Sequence, residues 1–347
     1  MQILVVNAGS SSLKVKVLEL ASQKVLYSEL IEHIGESGSI VQNHEQALNT
    51  LEMDFNTIDI VGHRVVHGGE KFSNAVLIDE DVMQTIRSLI PLAALHNPAN
   101  LQGIELMQKL LPHTPQYAVF DTAFHTTLQK EAYLYALPYE LYEKHHIRRY
   151  GFHGTSHKYL LQEAAKHLEK KLESTNLITL HLGNGESICA IKNGKSIDIS
   201  MGFTPLEGLI MGSRSGDIDA EIVLFMQNSL GLSANEVDII LNKKSGLIGI
   251  CGENDVREIL IRDDERAKLA IDIMVRRIQK YIGSYLVLLG GNVDALVFSG
   301  GIGEHSQIIR EKILDNAMFK DIKTFVIETD EELEIAKECF ALIKSAK

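Results

Sequence analysis

The stretch Gln2–Leu20, QILVVNAGSSSLKVKVLEL, decides the fold. Gln2–Asn7 and Leu13–Leu20 are rich in β-branched and alternating apolar residues, so both read as strands. Between them Ala8-Gly9-Ser10-Ser11-Ser12 forms a small polar turn. Its glycine lets the backbone approach an anion closely, and successive amides in such a turn form an anion-binding nest. Val25–Leu30 extends the pair as a third strand of a meander.

Working outward, Asp59–Val66 is a strand entering the Gly68-Gly69 turn, and Tyr117–Phe120 is a short buried strand ending at Asp121. Glu80–Ile90 and Asn100–Leu111 carry apolar residues at spacings of three and four and read as helices. A second alternation begins near residue 150. Leu177–Leu182 is an apolar strand, and Ser187–Ile191 pairs with Ser196–Ile199 around Asn193-Gly194, a strong hairpin dipeptide. Ile218–Leu230 and Asp264–Leu289 are helical patterns, Ala295–Ser299 and Thr324–Ile327 are strands, and Glu331–Ser345 is a closing helix with Thr329 as its N-cap. Three strands thus end in small polar turns: NAGSSS at 7–12, HLGNG at 181–185 and SGGIGE at 299–304. That repetition suggests two related lobes gripping a polyphosphate between them.

Composition narrows the function. The 347 residues are 45% hydrophobic and 23% charged, ordinary for a soluble globular protein of one large or two smaller domains. Thirty-four basic against forty-six acidic residues leave a net charge of −12, which argues against a broad nucleic-acid or acidic-membrane surface. Cys189, Cys251 and Cys339 are scattered without a C-x-x-C, so neither a disulfide framework nor a thiolate zinc site is indicated, and a reducing, cytoplasmic compartment is expected. No signal peptide is read at the N-terminus, and the apolar run Tyr285–Gly303 is too broken to span a bilayer.

Several nucleotide and metal motifs are excluded. Gly194-Lys195-Ser196 lacks the upstream glycine of a Walker loop, since Cys189 stands there, and Ser306 replaces the last glycine of G-x-G-x-x-G after Gly301-Ile302-Gly303. The pairs His63/His67 and His153/His157 lack the Glu of H-E-x-x-H, and both read as strand or turn, the wrong geometry for the helical pairing that zinc would need.

The motifs Asn7–Lys14 (NAGSSSLK), Gly62–Gly69 (GHRVVHGG), Leu95–Asn100 (LHNPAN), Phe120–His125 (FDTAFH) and Arg149–His157 (RYGFHGTSH) lie in order along the chain. With His181–Gly185, Met201–Gly208, Arg214–Asp217 and Gly301–Glu304, the sequence resembles the acetate kinase (acetate/propionate kinase) family over nearly its whole length. The resemblance implies the two-lobed actin/hexokinase/Hsp70-like α/β fold, built from duplicated ribonuclease-H-like domains. One lobe would be residues 1–148, with a helix at about 335–347 returning to it, and residues 149–334 would form the nucleotide-binding lobe. It implies reversible, Mg²⁺-dependent, in-line phosphoryl transfer between ATP and acetate, giving acetyl phosphate and ADP, and usually a homodimer. Propionate or butyrate kinase, and a catalytically weak nucleotide-binding member of the same fold, are the alternatives.

By the same resemblance, Arg64, Asp121, His153 and Arg214 are the catalytic set, and Asn7 and Glu331 hold Mg²⁺, with Glu332 the rival carboxylate. Arg64, Val66, Leu95, Phe152 and Pro205 take the acyl substrate. Ser10, Ser12 and Lys14 contact phosphate, and His181, Leu182, Gly183, Asn184 and Gly185 form the second phosphate loop. Asp255, Val256, Arg257, Gly301, Ile302, Gly303, Glu304 and His305 hold adenosine. A phosphoryl group in transit needs permanently charged, planar donors around its oxygens, which suits the two arginines. A small carboxylic acid is already ionised at neutral pH, so Asp121 is expected to position Mg²⁺, its waters or Arg214 and not to act as a base.

The chain also departs from the family. It is shorter, mostly between Lys14 and Asp59 and at the C-terminus. Glu186 follows the second phosphate loop where a small residue is usual, and its charge should weaken nucleotide binding unless it points away or meets a cation. Cys251–Asn254 replaces a serine-containing stretch, His305 stands where Asn is common, and Ala220 where Pro is common.

Overall fold

The computed structural model describes residues 1–36, 38–94 and 96–345. The chain divides into two compact units, one comprising Met1–Thr126, Gly154–Ser156 and Asp330–Lys347, the other Thr127–His153 and His157–Thr329.

In the first unit, strands β1 (Gln2–Ala8), β2 (Leu13–Glu19), β3 (Lys24–Ile31), β4 (Ile60–Val65), β5 (Val76–Leu77) and β6 (Gln116–Phe120) form one sheet in the order β3-β2-β1-β4-β6-β5. The meander β1–β2–β3 is antiparallel, as the NAGSSS turn requires, while β4 and β6 join parallel to β1. Alternation in β2 buries Leu13, Val15 and Val17 and leaves Lys14 and Lys16 half-exposed. One face packs Leu4, Val6 and Val15 against Met107 of helix Asn97–Leu110, and the other packs Ile3, Val5 and Val119 against Ile335, Ala336 and Cys339 of the closing helix Glu331–Ser345. That helix is capped by Asp330, whose Oδ1 accepts the Leu333 N–H at 2.9 Å, and not by the expected Thr329. The Thr329 amide instead donates to Glu304 at 3.1 Å.

In the second unit, β7 (Leu177–Leu182), β8 (Glu186–Lys192), β9 (Lys195–Ile199), β10 (Ala295–Ser299) and β11 (Thr324–Val326) are ordered β9-β8-β7-β10-β11. The pairings repeat those of the first unit: an antiparallel meander, then two strands parallel to its first. Duplication of one sheet plan is therefore present in the backbone itself. Helix Glu265–Leu288 runs beneath this sheet and buries Ala270, Met274, Ile278 and Ile282 against Leu180, Ile188 and Phe298.

The sequence reading placed the boundary at 148/149, whereas the units divide after Thr126. The reason is local packing: Thr127 donates to the Ser196 carbonyl at 2.7 Å, and Arg149 Nη1 donates to the carbonyls of Ile199, Ser200 and Met201, tying Thr127–His153 to β9 and the loop after it. No helix among the described residues is long and apolar enough to cross a membrane.

Candidate active site

In the first unit the candidate residues gather at the C-terminal ends of β1, β4 and β6, where parallel strands open their carboxyl ends to a ligand. Arg64 and Asp121 form a bidentate pair, Nε to Oδ1 at 3.0 Å and Nη2 to Oδ2 at 2.6 Å, with Asp121 only 1% exposed and Arg64 more open. Arg64 Nη1 also reaches Asn7 Oδ1 at 3.4 Å, and Thr155 Oγ1 donates to Asp121 Oδ1 at 3.3 Å. Burial alone would lower the Arg64 pKa, but Asp121 and Glu331 outweigh it and hold the guanidinium firmly charged. Asp121 thus pairs with Arg64, a partner that is not among the sequence-based expectations of Mg²⁺, its waters or Arg214. Its backbone carbonyl accepts the Gly154 N–H at 2.9 Å, so close that a Cβ at Gly154 would collide with it.

Glu331 and Glu332 separate cleanly. Lys14 Nζ lies 2.8 Å from Glu332 Oε1, and Lys16 Nζ 3.4 Å from Glu332 Oε2 and 2.7 Å from Asp330 Oδ1. Glu332 is therefore neutralised by lysines. Glu331 forms no ion pair or hydrogen bond with the described residues. Its pKa is raised by burial, with Asp121 and Glu332 adding repulsion against the pull of Arg64. A hard-oxygen donor left without a partner near Asp121, with Asn7 reached by the same Arg64, is what a divalent cation with few protein ligands would neutralise. The donor set fits Mg²⁺, although no cluster of three His, Cys, Asp or Glu suited to a metal occurs among the described residues.

Three further positions complete the first unit's part. The Gly9 turn closes through Gly9 N–H to the Ser12 carbonyl at 2.8 Å, which presents Ser10 and Ser12 at the end of β1. Val66 is buried, and its amide donates to Asn100 Oδ1 at 3.0 Å. Leu95 lies outside the described residues.

In the second unit the loop Gly183-Asn184-Gly185 joins β7 to β8. A Cβ built on Gly185 would lie 3.6 Å from Arg214 Nη1 and 3.8 Å from His153 Nε2, so an arginine and a histidine converge on that backbone. Arg214 Nη1 donates to the Pro205 carbonyl at 3.2 Å, yet the guanidinium has no carboxylate partner among the described residues, and desolvation lowers its pKa. A buried cation left without a counter-ion is a seat for an anion. The His153 and His181 rings lie 4.3 Å apart, and Phe152 is buried beside them in sequence.

A cavity of about 890 Å³ opens beside this loop, lined by Gly183, Asn184, Asp255, Val256, Arg257, Gly301, Ile302 and His305 among the expected residues. Leu260, Ile261, Ser306, Gln307 and Ile308, outside the expected set, also line it, as does Asn254 of the altered Cys251–Asn254 stretch. Their only signal was adjacency to Asp255–Arg257 and Gly301–His305. Leu182 points into the core instead, so only its backbone faces the turn that Gly300 makes at φ +74°, where a Cβ would press on Leu182 backbone atoms. Glu304 turns inward as well, accepting from Ser299 Oγ and Gly300 N at 3.1 and 2.8 Å, and neither it nor Gly303 lines the cavity. Asp255 accepts from Arg257 through both oxygens, which holds its pKa down at about 2.

Two groups outside the expected set shape the site. Arg149 Nη2 donates to Glu207 Oε1 at 2.6 Å, and Tyr135 donates to the other oxygen while accepting the Phe203 amide, so this trio clamps the loop that carries Pro205. Ser187 bridges two histidines, as developed below. Glu186 turns away from the phosphate loop: it pairs across the strands with Leu182, shares that residue's core face, and is fully buried. Neither of its carboxyl oxygens meets a hydrogen-bond donor among the described residues, and burial pushes its pKa well above the carboxylate range.

The acetokinase family matches residues 2–344. The chain is 50% identical over 390 aligned positions to an acetate kinase of Sulfurimonas denitrificans, covering 99% of this chain and 100% of that one. Among solved structures, Porphyromonas gingivalis acetate kinase superposes with a TM-score of 0.90 at 40% identity, covering 99% of each chain. A propionate kinase from Francisella tularensis superposes at 0.91 with 43% identity, covering 97% of this chain and 98% of that one.

Proposed function

Because this chain belongs to the acetokinase family, a family of phosphotransferases, we propose that it moves a phosphoryl group reversibly between ATP and acetate, giving acetyl phosphate and ADP. The observation that carries the reading is the Arg214 guanidinium, without a carboxylate partner among the described residues, converging with His153 on the Gly185 backbone beside a cavity with room for a nucleoside. A carboxylate oxygen of acetate attacks the γ-phosphorus, the bond from phosphorus to the β,γ-bridging oxygen breaks, and ADP leaves with the electron pair. No proton moves, because acetate is already ionised, so a general base is unnecessary. Arg64 and Arg214 hold the equatorial oxygens and the carboxylate, and Asp121 fixes the plane of Arg64. Asn7 and Glu331 would hold Mg²⁺, which when bound supplies positive charge against the phosphate oxygens.

The family resemblance assigns Val66, Leu95, Phe152 and Pro205 to a pocket for a small acyl group. One methylene in such a pocket is worth only about 1–3 kcal/mol, so propionate is a slower substrate. Its similarity to the Francisella propionate kinase favours that acid as the second reading. The chain works in the cytoplasm as a homodimer. Helix Glu221–Asn228 supports the dimer, since it has no buried residue while Ile222, Leu224 and Phe225 are exposed, Phe225 by 56%.

Trapping acyl phosphate as the hydroxamate, with Mg²⁺-ATP and acetate, propionate, butyrate or glycerol in parallel, tests the reaction. Strong product from acetate, less from propionate and none from glycerol is expected. No product from any acid, in folded protein, would leave only nucleotide binding.

A further inference from the structure

His153 sits at the end of a chain of hydrogen bonds that leads away from the site into the second unit's interior. Its Nδ1 lies 2.8 Å from Ser187 Oγ, which lies 2.8 Å from His157 Nε2, and His157 Nδ1 lies 2.7 Å from Thr179 Oγ1. Ser187, His157 and Thr179 are all completely buried, so bulk water does not reach these links. The geometry follows from two periodicities. His153 and His157 are four residues apart at the start of helix Gly154–His167, and Thr179 and His181 are two apart on β7, with Ser187 directly opposite His181 on β8. His153 itself takes a left-handed backbone, φ 56° and ψ 26°, which a non-glycine residue adopts only where its surroundings over-determine it.

Proton counting leaves two directions for this chain. A neutral imidazole has one N–H, and a hydroxyl has one hydrogen to give. Run inward, His153 Nδ1–H donates to Ser187, Ser187 donates to His157 Nε2, and His157 Nδ1–H donates to Thr179. His153 Nε2 is then a lone pair, repelled by any anion at Gly185. Run outward, Thr179 donates to His157 Nδ1, His157 Nε2–H donates to Ser187, and Ser187 donates to His153 Nδ1. Nε2 then carries the proton and faces the backbone where Arg214 also converges.

We propose that Ser187, backed by His157 and Thr179, holds His153 as the neutral tautomer with its proton on Nε2 whenever an anion occupies the Gly185 loop. Ser187 is a positioning residue in this scheme: it supplies the hydrogen that occupies Nδ1 and leaves Nε2 an obligatory donor. The ring donates to the phosphoryl oxygens without first being protonated. This rests on the phosphoryl transfer proposed above, with His153, which converges on the Gly185 backbone beside Arg214, taken as a donor to the migrating phosphoryl group.

The test is ¹⁵N NMR of the full-length enzyme labelled at histidine and bound to Mg²⁺ and the β,γ-imido analogue of ATP, with the His153 ring assigned by its loss in His153→Gln. A pyridine-type Nδ1 and a pyrrole-type Nε2 are expected. A proton on Nδ1, alone or together with one on Nε2, overturns the proposal. Ser187→Ala should mix the two tautomers and lower kcat about tenfold or more, with KM for ATP and acetate held within about twofold. Ser187→Thr, which keeps the hydroxyl, should restore both. If Ser187→Ala does not fold, His157→Gln provides the same comparison. Unchanged ring shifts and unchanged kcat in the folded variant refute the role of Ser187. The spectra do not depend on turnover, so failure to form acyl phosphate would fell the functional reading and leave the tautomer result standing.

Discussion

Glu186→Gln decides whether a charge stands behind the phosphate loop. The carboxyl is fully buried, with both oxygens lacking donors among the described residues. An uncompensated carboxylate there would cost several kcal/mol, whereas the neutral acid costs about 1–3 kcal/mol for its unmet hydrogen bonds, so the neutral form prevails. An acid whose pKa is raised on folding ionises first in the unfolded chain. Its contribution to stability is complete below the ordinary value of 4.5 and is lost as pH rises towards the folded value. The loss runs at ~1.4 kcal/mol per pH unit across that window. Glutamine keeps the shape and does not titrate. Urea unfolding of both proteins at pH 5, 6 and 7 should therefore show wild type losing ground to the variant as pH rises, by at most ~1.4 kcal/mol per unit. ATP affinity at pH 7 should agree within about twofold, because a neutral group exerts no like-charge repulsion. A stability difference that stays flat with pH, together with tighter ATP binding by the variant, would show that Glu186 is ionised and the reasoning wrong.

Further outcomes follow from the same geometry. Asp121→Asn, by leaving the Arg64 guanidinium unpaired, should cost about 3–5 kcal/mol in unfolding free energy and lower kcat about 100-fold or more; lost stability with unchanged kcat would make the pair merely structural. Glu331→Gln should raise the Mg²⁺ concentration for half-maximal rate about tenfold or more, while Glu332→Gln should act mainly on stability by releasing Lys14, Lys16 staying with Asp330. Equal Mg²⁺ shifts in both would undo the distinction between them. Val66→Ala should move the propionate-to-acetate ratio of kcat/KM about tenfold towards propionate, measured by hydroxamate formation. Phe225→Glu should lower the mass seen by light scattering from dimer to monomer, and an unchanged dimer would place the interface elsewhere.

Much of the site was legible because its chemistry is carried by short runs of chain. The Gly9 turn needs glycine because a Cβ there would meet the Ser12 hydroxyl, and the Gly300 turn because backbone approaches backbone at positive φ, and both needs are written locally. The repeated strand–turn pattern announced two related sheets, because alternation and turn residues depend on neighbours in sequence. Helix starts were less legible: Asp330 and Thr329 are adjacent and both able to cap, and the fold gives the cap to the Asp330 carboxylate, which accepts the Leu333 amide.

What the tertiary structure alone decided is pairing and burial. Glu331 and Glu332 are identical side chains, one residue apart, and successive helical positions point about 100° apart. That rotation sends Glu332 to two lysines and leaves Glu331 without a partner beside Asp121. Glu186 read as a charge beside phosphate, but strand parity turned it onto the core face, where desolvation removes the charge. Ser187, its neighbour, points the other way and joins two histidines. Sequence by itself determines residue chemistry and local periodicity. Which groups meet, and whether water reaches them, is set by elements distant in the chain, and charge state and hydrogen-bond direction follow from those meetings.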